Sequence, residues 1–255
     1  MIIRSGLIKN HDNVDFEEFS KHWRDVHGPL ARIVPRMRAY SQNHIRKTLT
    51  SSERFGFHRV DGISQLRFDS LADMAAAMDS PEQRACVVDI QGFVSSATIL
   101  IQEEGKLYGN LARHETKLMY LVRNGNGIAP LLDAVSKSLS SLGGSFRFNQ
   151  VINRDFRVDS TVAAGDQMID GVLEVFLPDR MASERFNDTQ AIERSHIDVI
   201  GAYEVTEYIV LRLQSGEERR FLEDGDEIIL RAHTPSVGEF AQIGFGECRG
   251  SITAT

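Results

Sequence analysis

Two histidines, His27 and His44, stand in settings that could carry proton chemistry. Imidazole gains and loses a proton near neutral pH, so a histidine among polar neighbours is a candidate general acid or base. His44 closes the alternating set Arg38, Tyr40, Gln42, His44, and alternate residues of a strand share one face. An aromatic ring among three polar side chains could polarise or bind a carbonyl, phenol or carboxylate. Asp61 could orient a histidine and hold its tautomer, as carboxylates do in catalytic triads. His27 precedes Gly28-Pro29, a helix-stop signal. It could therefore cap the last carbonyls instead, where the helix dipole favours a protonated ring. His44 could equally be a hydrogen-bonded strand residue, and Trp23 is either core or pocket wall. His22 and His58 read as surface or loop residues.

The elements that must hold these groups follow from periodicity. Residues 2–9 are rich in Ile and Leu, as a buried strand is. Asp15 with Glu18 three residues on makes a capping box, and Phe16, Phe19, Trp23 and Val26 form one apolar helical stripe. Strands are expected at 37–45, 60–68 and 94–101, with an Ala- and Met-rich helical region before the last. The order β-α-β-β-α-β is the ferredoxin-like unit. In the third strand Val60, Gly62, Ser64, Leu66 and Phe68 make the face that packs on helices. Asp61, Ile63, Gln65 and Arg67 look away from them. If two such sheets face each other, their polar sides enclose a cavity, the usual form of a small-molecule site.

A faint internal repeat extends this to a second unit. Val60-Asp61-Gly62-Ile63 recurs as Ile169-Asp170-Gly171-Val172, an offset of 109, and the same offset aligns Asp89-Ile90-Gln91-Gly92 with Asp198-Val199-Ile200-Gly201. Strands are expected near 116–123, 144–152, 169–177 and 204–213, with helices near 128–141 and 180–199. The organisation read from the sequence is 1–108, 109–213 and a Gly-rich β-structured tail, 214–255.

Composition restricts the partners. A net charge of -7 offers no broad basic surface to nucleic acid. No apolar run approaches the length of a bilayer span, and Arg4 and Lys9 interrupt the N-terminus too soon for a signal sequence. The two cysteines, Cys86 and Cys248, suggest neither disulfide nor metal cluster. A cytoplasmic protein acting on a small molecule, without membrane or nucleic-acid partners, is expected.

The segment Phe19-Ser20-Lys21-His22-Trp23-Arg24-Asp25-Val26-His27-Gly28-Pro29-Leu30-Ala31, followed by Tyr40-Ser41-Gln42-Asn43-His44, resembles the EthD family. The Asp61-Gly62 strand and Met78-Asp79-Ser80-Pro81-Glu82 are similar to it as well. The resemblance covers about residues 1–105. It implies a dimeric α+β barrel, closed within one chain or across a homodimer, and makes His27 and His44 pocket residues. Relatives of that fold include cofactor-free monooxygenases, muconolactone-type isomerases, and dehydratases or decarboxylases of aromatic polyketides. The second copy lacks the Trp and His-Gly-Pro motifs, having Gly127-Ile128-Ala129-Pro130-Leu131, and places Val151 at His44; it reads as a lapsed site that closes the barrel. Arg220 to Leu230 and Ile243 to Gly250 resemble the end of fumarylacetoacetate hydrolases, without that family's metal-binding carboxylates. Asp224 and Asp226 read as turn residues there.

The fold class expected is therefore α+β: two ferredoxin-like units forming a dimeric α+β barrel, with a small β tail. The function expected is a cofactor-independent lyase or isomerase acting on a small cyclic or aromatic compound. His27, His44 and Asp61 would be catalytic, with Trp23, Arg38, Tyr40, Gln42 and Gln65 binding substrate. No cofactor and no metal are expected, because His27, His44 and His58 fit no known ligand spacing. A cofactor-free monooxygenase, a non-catalytic binding barrel and a haem protein with a histidine axial ligand are the alternatives.

Overall fold

The computed structural model of the chain describes residues 1–110, 113–123, 127–153, 169–214, 217–221 and 227–231. Two compact units are present, Met1–Arg212 and Leu213–Thr255.

The first unit holds both repeats. The first repeat comprises β1 (Ile2–Asn10), α1 (Phe16–His22), a π turn (Trp23–His27), α2 (Gly28–Arg32), β2 (Ala39–Thr50), β3 (Gly62–Phe68), α3 (Leu71–Met78), α4 (Pro81–Phe93) and β4 (Val94–Glu103). A two-residue strand, β5 (Leu107–Tyr108), leads to the second repeat: β6 (Thr116–Arg123), α5 (Ala129–Ser140), β7 (Ser145–Asn153), β8 (Gly171–Leu177), α6 (Arg180–Asp188) and β9 (Asp198–Arg212). The strands run in the order β4-β1-β3-β2-β9-β6-β8-β7, and β7 pairs back onto β4. Each half keeps the ferredoxin-like order, and two antiparallel seams, β2–β9 and β4–β7, close eight strands into one barrel. A closed barrel leaves no unpaired strand edge, and this one closes without a second copy of the chain.

Local signals act as the sequence suggests at the helix starts. Asp15 accepts from the Glu18 amide at 2.8 Å, and Ser70, Ser80 and Asp179 cap α3, α4 and α6 in the same way. Two expectations fail. Gly28-Pro29 does not stop the helix: the chain goes on through Arg32, with Pro29 in the first turn of α2. Pro29 has no N–H to give a carbonyl one turn back, and the widened turn Trp23–His27 absorbs the mismatch, Gly28 N–H donating to the Trp23 carbonyl. The wider turn also resets the phase of the helix. Phe19, Trp23 and His27 are buried, whereas Phe16 and Val26 of the expected stripe are exposed.

The repeat, too, holds its offset only locally. Asp61-Gly62 and Asp170-Gly171 do occupy equivalent places at the start of β3 and β8, and Gly62 and Gly171 each lie under an aromatic ring. A Cβ on Gly62 would stand 2.3 Å from the Trp23 ring, and one on Gly171 2.1 Å from Phe148. Beyond the third strands the register slips. Asp89-Ile90-Gln91-Gly92 is helix, whereas Asp198-Val199-Ile200-Gly201 is strand, because α6 ends at Asp188 where the helix was expected to reach 199. The ladders also make Gln150, opposite Gly171, the counterpart of His44, opposite Gly62, and not Val151.

The inward faces of the eight strands carry an apolar layer, with Leu7, Ile63, Leu100, Met119, Leu121, Val172 and Val205, and a polar layer. In the polar layer Gln65 and Glu174, equivalent residues of the two halves, hydrogen-bond to each other across the barrel. Glu174 is fully buried. Lys117 Nζ lies 2.8 Å from Glu207 and 3.8 Å from Glu174, and donates to Gln65 Oε1 at 3.3 Å. Asn43 and Asn149, again equivalent, donate to Gln65 Oε1 and Glu174 Oε1. Burial pushes the Glu174 carboxyl up, but the charges of Lys117 and Arg67 outweigh it and hold it below the usual carboxylate range.

The second unit contains an antiparallel pair, β10 (Glu217–Phe221) with β11 (Glu227–Arg231), so the tail is β-structured where it is described. The Asp224 and Asp226 turn, Ile243 to Gly250 and the polar loop before β8 lie outside the described residues.

Removing the cation of the polar layer tests how far the barrel depends on it. Lys117→Met leaves two acidic groups in a dry interior, and stability should fall by about 3–5 kcal/mol. Urea unfolding followed by circular dichroism measures this, and an unchanged midpoint would show that the network contributes nothing.

Candidate active site

The alternation in β2 places Tyr40, Gln42 and His44 together on one face, as the sequence suggests, but that face looks outward to the helices and not into the barrel. A cavity of about 40 Å³ lies there, between the sheet of the first repeat and its helices. Strands β1, β2 and β3 contribute Arg4, Gly6, Tyr40 and Ser64, the π turn Trp23 and His27, and α4 Gln83, Cys86 and Phe93. In this form it admits a group of a few atoms. A ring-sized ligand enters only if the α4 wall moves.

His27 is 6% exposed. Its Nδ1 lies 2.9 Å from Asp89 Oδ2, and the other carboxylate oxygen lies 2.9 Å from His22 Nε2. Burial alone would raise the Asp89 carboxyl, but hydrogen bonds from His27 and His22 keep it below the usual range. An ionised carboxylate accepts only, so His27 donates from Nδ1, and the neutral ring has its lone pair on Nε2. That is the tautomer of a general base, held by a carboxylate as in a catalytic triad. Phe93 packs on the His27 ring, with centroids 5.4 Å apart.

Tyr40 supplies a donor. Its hydroxyl oxygen accepts from Trp23 Nε1 at 3.2 Å and from Gln42 Nε2 at 3.0 Å, which leaves the hydroxyl proton to be given. Burial raises its pKa well above that of an ordinary phenol, so the proton stays in place.

His44 is placed differently. Gln42 Nε2 donates to the Trp23 carbonyl at 2.7 Å, which turns Gln42 Oε1 toward His44 Nε2 at 3.2 Å. His44 Nε2 must then carry the proton, and Nδ1 accepts from Ser20 Oγ at 2.7 Å. Both ring nitrogens are engaged, and the ring packs against Trp23 at a tilt of 32°, with centroids 4.4 Å apart. Burial, aided by the positive charge of Arg24, pushes its pKa down to about 4. His44 does not line the cavity; it supports Trp23, and through Gln42 it supports Tyr40.

Of the residues singled out in the sequence, Trp23, His27 and Tyr40 line the cavity, and Gln42 and His44 stand beneath them. Arg38 lies at the start of β2, 3.7 Å from Asp69, away from the cavity. Asp61 orients neither histidine: its carboxylate takes the Arg59 Nε–H at 2.9 Å and the Asn10 amide at 3.0 Å. Gln65 faces the barrel interior. Sequence reasoning missed Asp89, whose partner lies 62 residues away, and Arg4, a charge within the Ile- and Leu-rich strand β1. Among the described residues no group of three or more His, Cys, Asp and Glu could hold a metal ion.

The second half gives the comparison. The counterparts of Arg4, Gly6, Tyr40, Gln42 and Ser64 are Leu118, Tyr120, Phe146, Phe148 and Leu173. They pack into an apolar core, and the groove of about 480 Å³ beside it is lined by no histidine or carboxylate.

Comparison with known proteins agrees with this architecture. Residues 11–97, about a third of the chain, match the EthD domain family. A solved anthrone oxidase-like protein is similar over 82% of this chain and 92% of its own, with 10% identity and a TM-score of 0.52, which shows the fold. An EthD family protein from Bacillus halodurans is 22% identical over 41% of this chain and 99% of its own, with a TM-score of 0.34. A stretch of 42 residues is 48% identical to the fumarylacetoacetase of Emericella nidulans; it spans 16% of this chain and only 9% of that enzyme.

The state of His44 has a measurable consequence. Its folded pKa near 4 lies below the value of about 6.5 expected in the unfolded chain. The unfolded chain takes up the proton first, so this contribution to stability is complete above pH ~6.5 and shrinks as pH falls toward 4. His44→Gln, which installs the residue found at the equivalent Gln150, should show a smaller drop in Tm between pH ~7.5 and ~5 than the unaltered protein. Equal drops in parallel thermal melts would remove His44 from the account.

Proposed function

We propose that the EthD domain of residues 11–97, completed by β1, forms a cofactor-independent enzyme of the lyase or isomerase type. It moves a proton on a small cyclic or aromatic compound. The observation that carries this reading is the His27–Asp89 pair, with Nδ1 2.9 Å from the carboxylate and Nε2 left for the cavity that His27 lines. In the reaction His27 Nε2 takes a proton from a carbon beside a carbonyl. The Tyr40 hydroxyl hydrogen-bonds the oxygen on which negative charge gathers, and Asp89 stabilises the imidazolium that forms. Trp23 walls the cavity, and His44 and Gln42 hold Trp23 and Tyr40 in place from outside it. The apolar remainder of the lining, Ile8, Leu66, Phe93, Ala97 and Ile99, excludes water from the developing charge and suits a hydrocarbon ring.

Anthrone, an aromatic ketone with an acidic carbon, tests the reading in one vessel. Under argon in D2O the protein should exchange deuterium into its methylene carbon faster than buffer, read by NMR. His27→Ala should lose about 10²–10⁴-fold of that acceleration. Asp89→Asn should lose a smaller share, because the base remains while its tautomer is released. Exchange that survives His27→Ala would sink the assignment. Anthraquinone formed in air without exchange under argon would favour a cofactor-free oxygenase instead.

A further inference from the structure

We infer that His22 is a positioning residue for this site: it holds the Asp89 carboxylate so that one oxygen stays on His27, and it covers that contact from solvent. The inference rests on the reading of the cavity as an active site and adds a residue that acts on the base without touching substrate.

A carboxylate bound through one oxygen is free to pivot, because the terminal torsion of an Asp side chain has broad minima. In Asp89 both oxygens are taken. Oδ2 meets His27 Nδ1 and Oδ1 meets His22 Nε2, each at 2.9 Å. An ionised carboxylate only accepts, so both rings donate, and two donors on opposite oxygens fix the plane of the acceptor. The orientation that His27 needs from Asp89 is therefore set from the other side by His22.

The backbone brings the two rings to one carboxylate. Residues three and four apart share a face of an α-helix, whereas His22 and His27 are five apart. The π turn Trp23–His27 follows His22 directly, and its i→i+5 repeat matches that spacing. Phe93, on α4 with Asp89, packs against both rings, with centroids 4.8 Å from His22 and 5.4 Å from His27. The two histidines thus grip α4 by one anion and one aromatic side chain. They differ in depth. His27 is buried and lines the cavity, whereas the His22 side chain is 37% exposed and does not line it. His22 stands on the solvent side of Asp89, where water would otherwise compete for the carboxylate.

The whole chain, labelled with 15N in its histidine rings, allows the ring protons to be followed by NMR at pH ~8, above the ordinary imidazole range. His27→Ala and His22→Gln identify the signals by their loss. His22→Leu keeps an apolar side chain on Phe93 but offers no N–H. The His27 Nδ1 proton should then exchange with water about tenfold faster, as expected for losing one hydrogen bond to a charged group, and anthrone exchange should slow by a similar factor. His22→Gln restores a donor and should recover most of both. Because His22 acts through Asp89, adding His22→Leu to Asp89→Asn should cost nothing further. A His27 proton unmoved by His22→Leu overturns the proposal, and so do losses that add in the double variant. A His22 Nε2 proton that exchanges as freely as one on an exposed ring overturns it whether or not the variants fold. Protons that behave as expected in a protein without anthrone exchange would overturn the acid–base reading and leave the positioning role standing.

Discussion

The carboxylate of Glu174 sits where water cannot reach it, and much of the molecule is arranged around that fact. An isolated buried charge would cost more than a fold of this size can offset. Here Lys117 comes from β6, Asn149 from β7, and Gln65 and Arg67 both from β3. The ladders fix which residues face inward, so the network holds together only if the strands that supply it, β2, β3, β6, β7, β8 and β9, keep register. The same network spans the barrel axis. Since the axis is taken up by side chains, a ligand site has to lie on the outer surface of the sheet, under the helices, and that is where His27, Tyr40 and Arg4 converge.

Much of this arrangement was legible in the sequence. Apolar richness and alternation marked seven of the eight barrel strands closely, Asp15 and Glu18 marked a helix start, and Asp170-Gly171 revealed the second unit. The pattern could not say which side of the sheet a mixed face would take. Tyr40, Gln42 and His44 look like residues of an open polar face, yet they bond to one another and to Trp23, and so satisfy themselves beneath a helix. Asp61 was expected to orient a histidine, yet its carboxylate is taken by Arg59 and the Asn10 amide. The group that does hold a histidine, Asp89, belongs to a different helix, and no spacing rule connects the two.

The π turn was equally hidden, although its cause is plain in retrospect. Pro29 breaks the hydrogen-bond ladder within a helix that Phe19, Trp23 and Ala31 need to keep buried. The chain widens one turn rather than ending the helix. Within that turn His27 is buried in line with Phe19 and Trp23. The Trp23 carbonyl at its start accepts from both the Gly28 N–H and Gln42 Nε2, and so orients the amide that supports Tyr40.

Closing the barrel within one chain has a further consequence. In an assembly of two identical subunits, any residue near the two-fold axis meets its own image: two glutamines, or two glutamates with their charges opposed. Covalent fusion removes that identity. Gln65 can face Glu174, a neutral donor against an anion, and Lys117 can stand where the first half has Ile3. One half can fill its outer layer with Phe146, Phe148 and Tyr120 and serve as scaffold, while the other keeps the costly polar groups. Broken symmetry lets a single polypeptide divide rigidity and reactivity between two halves that share one plan.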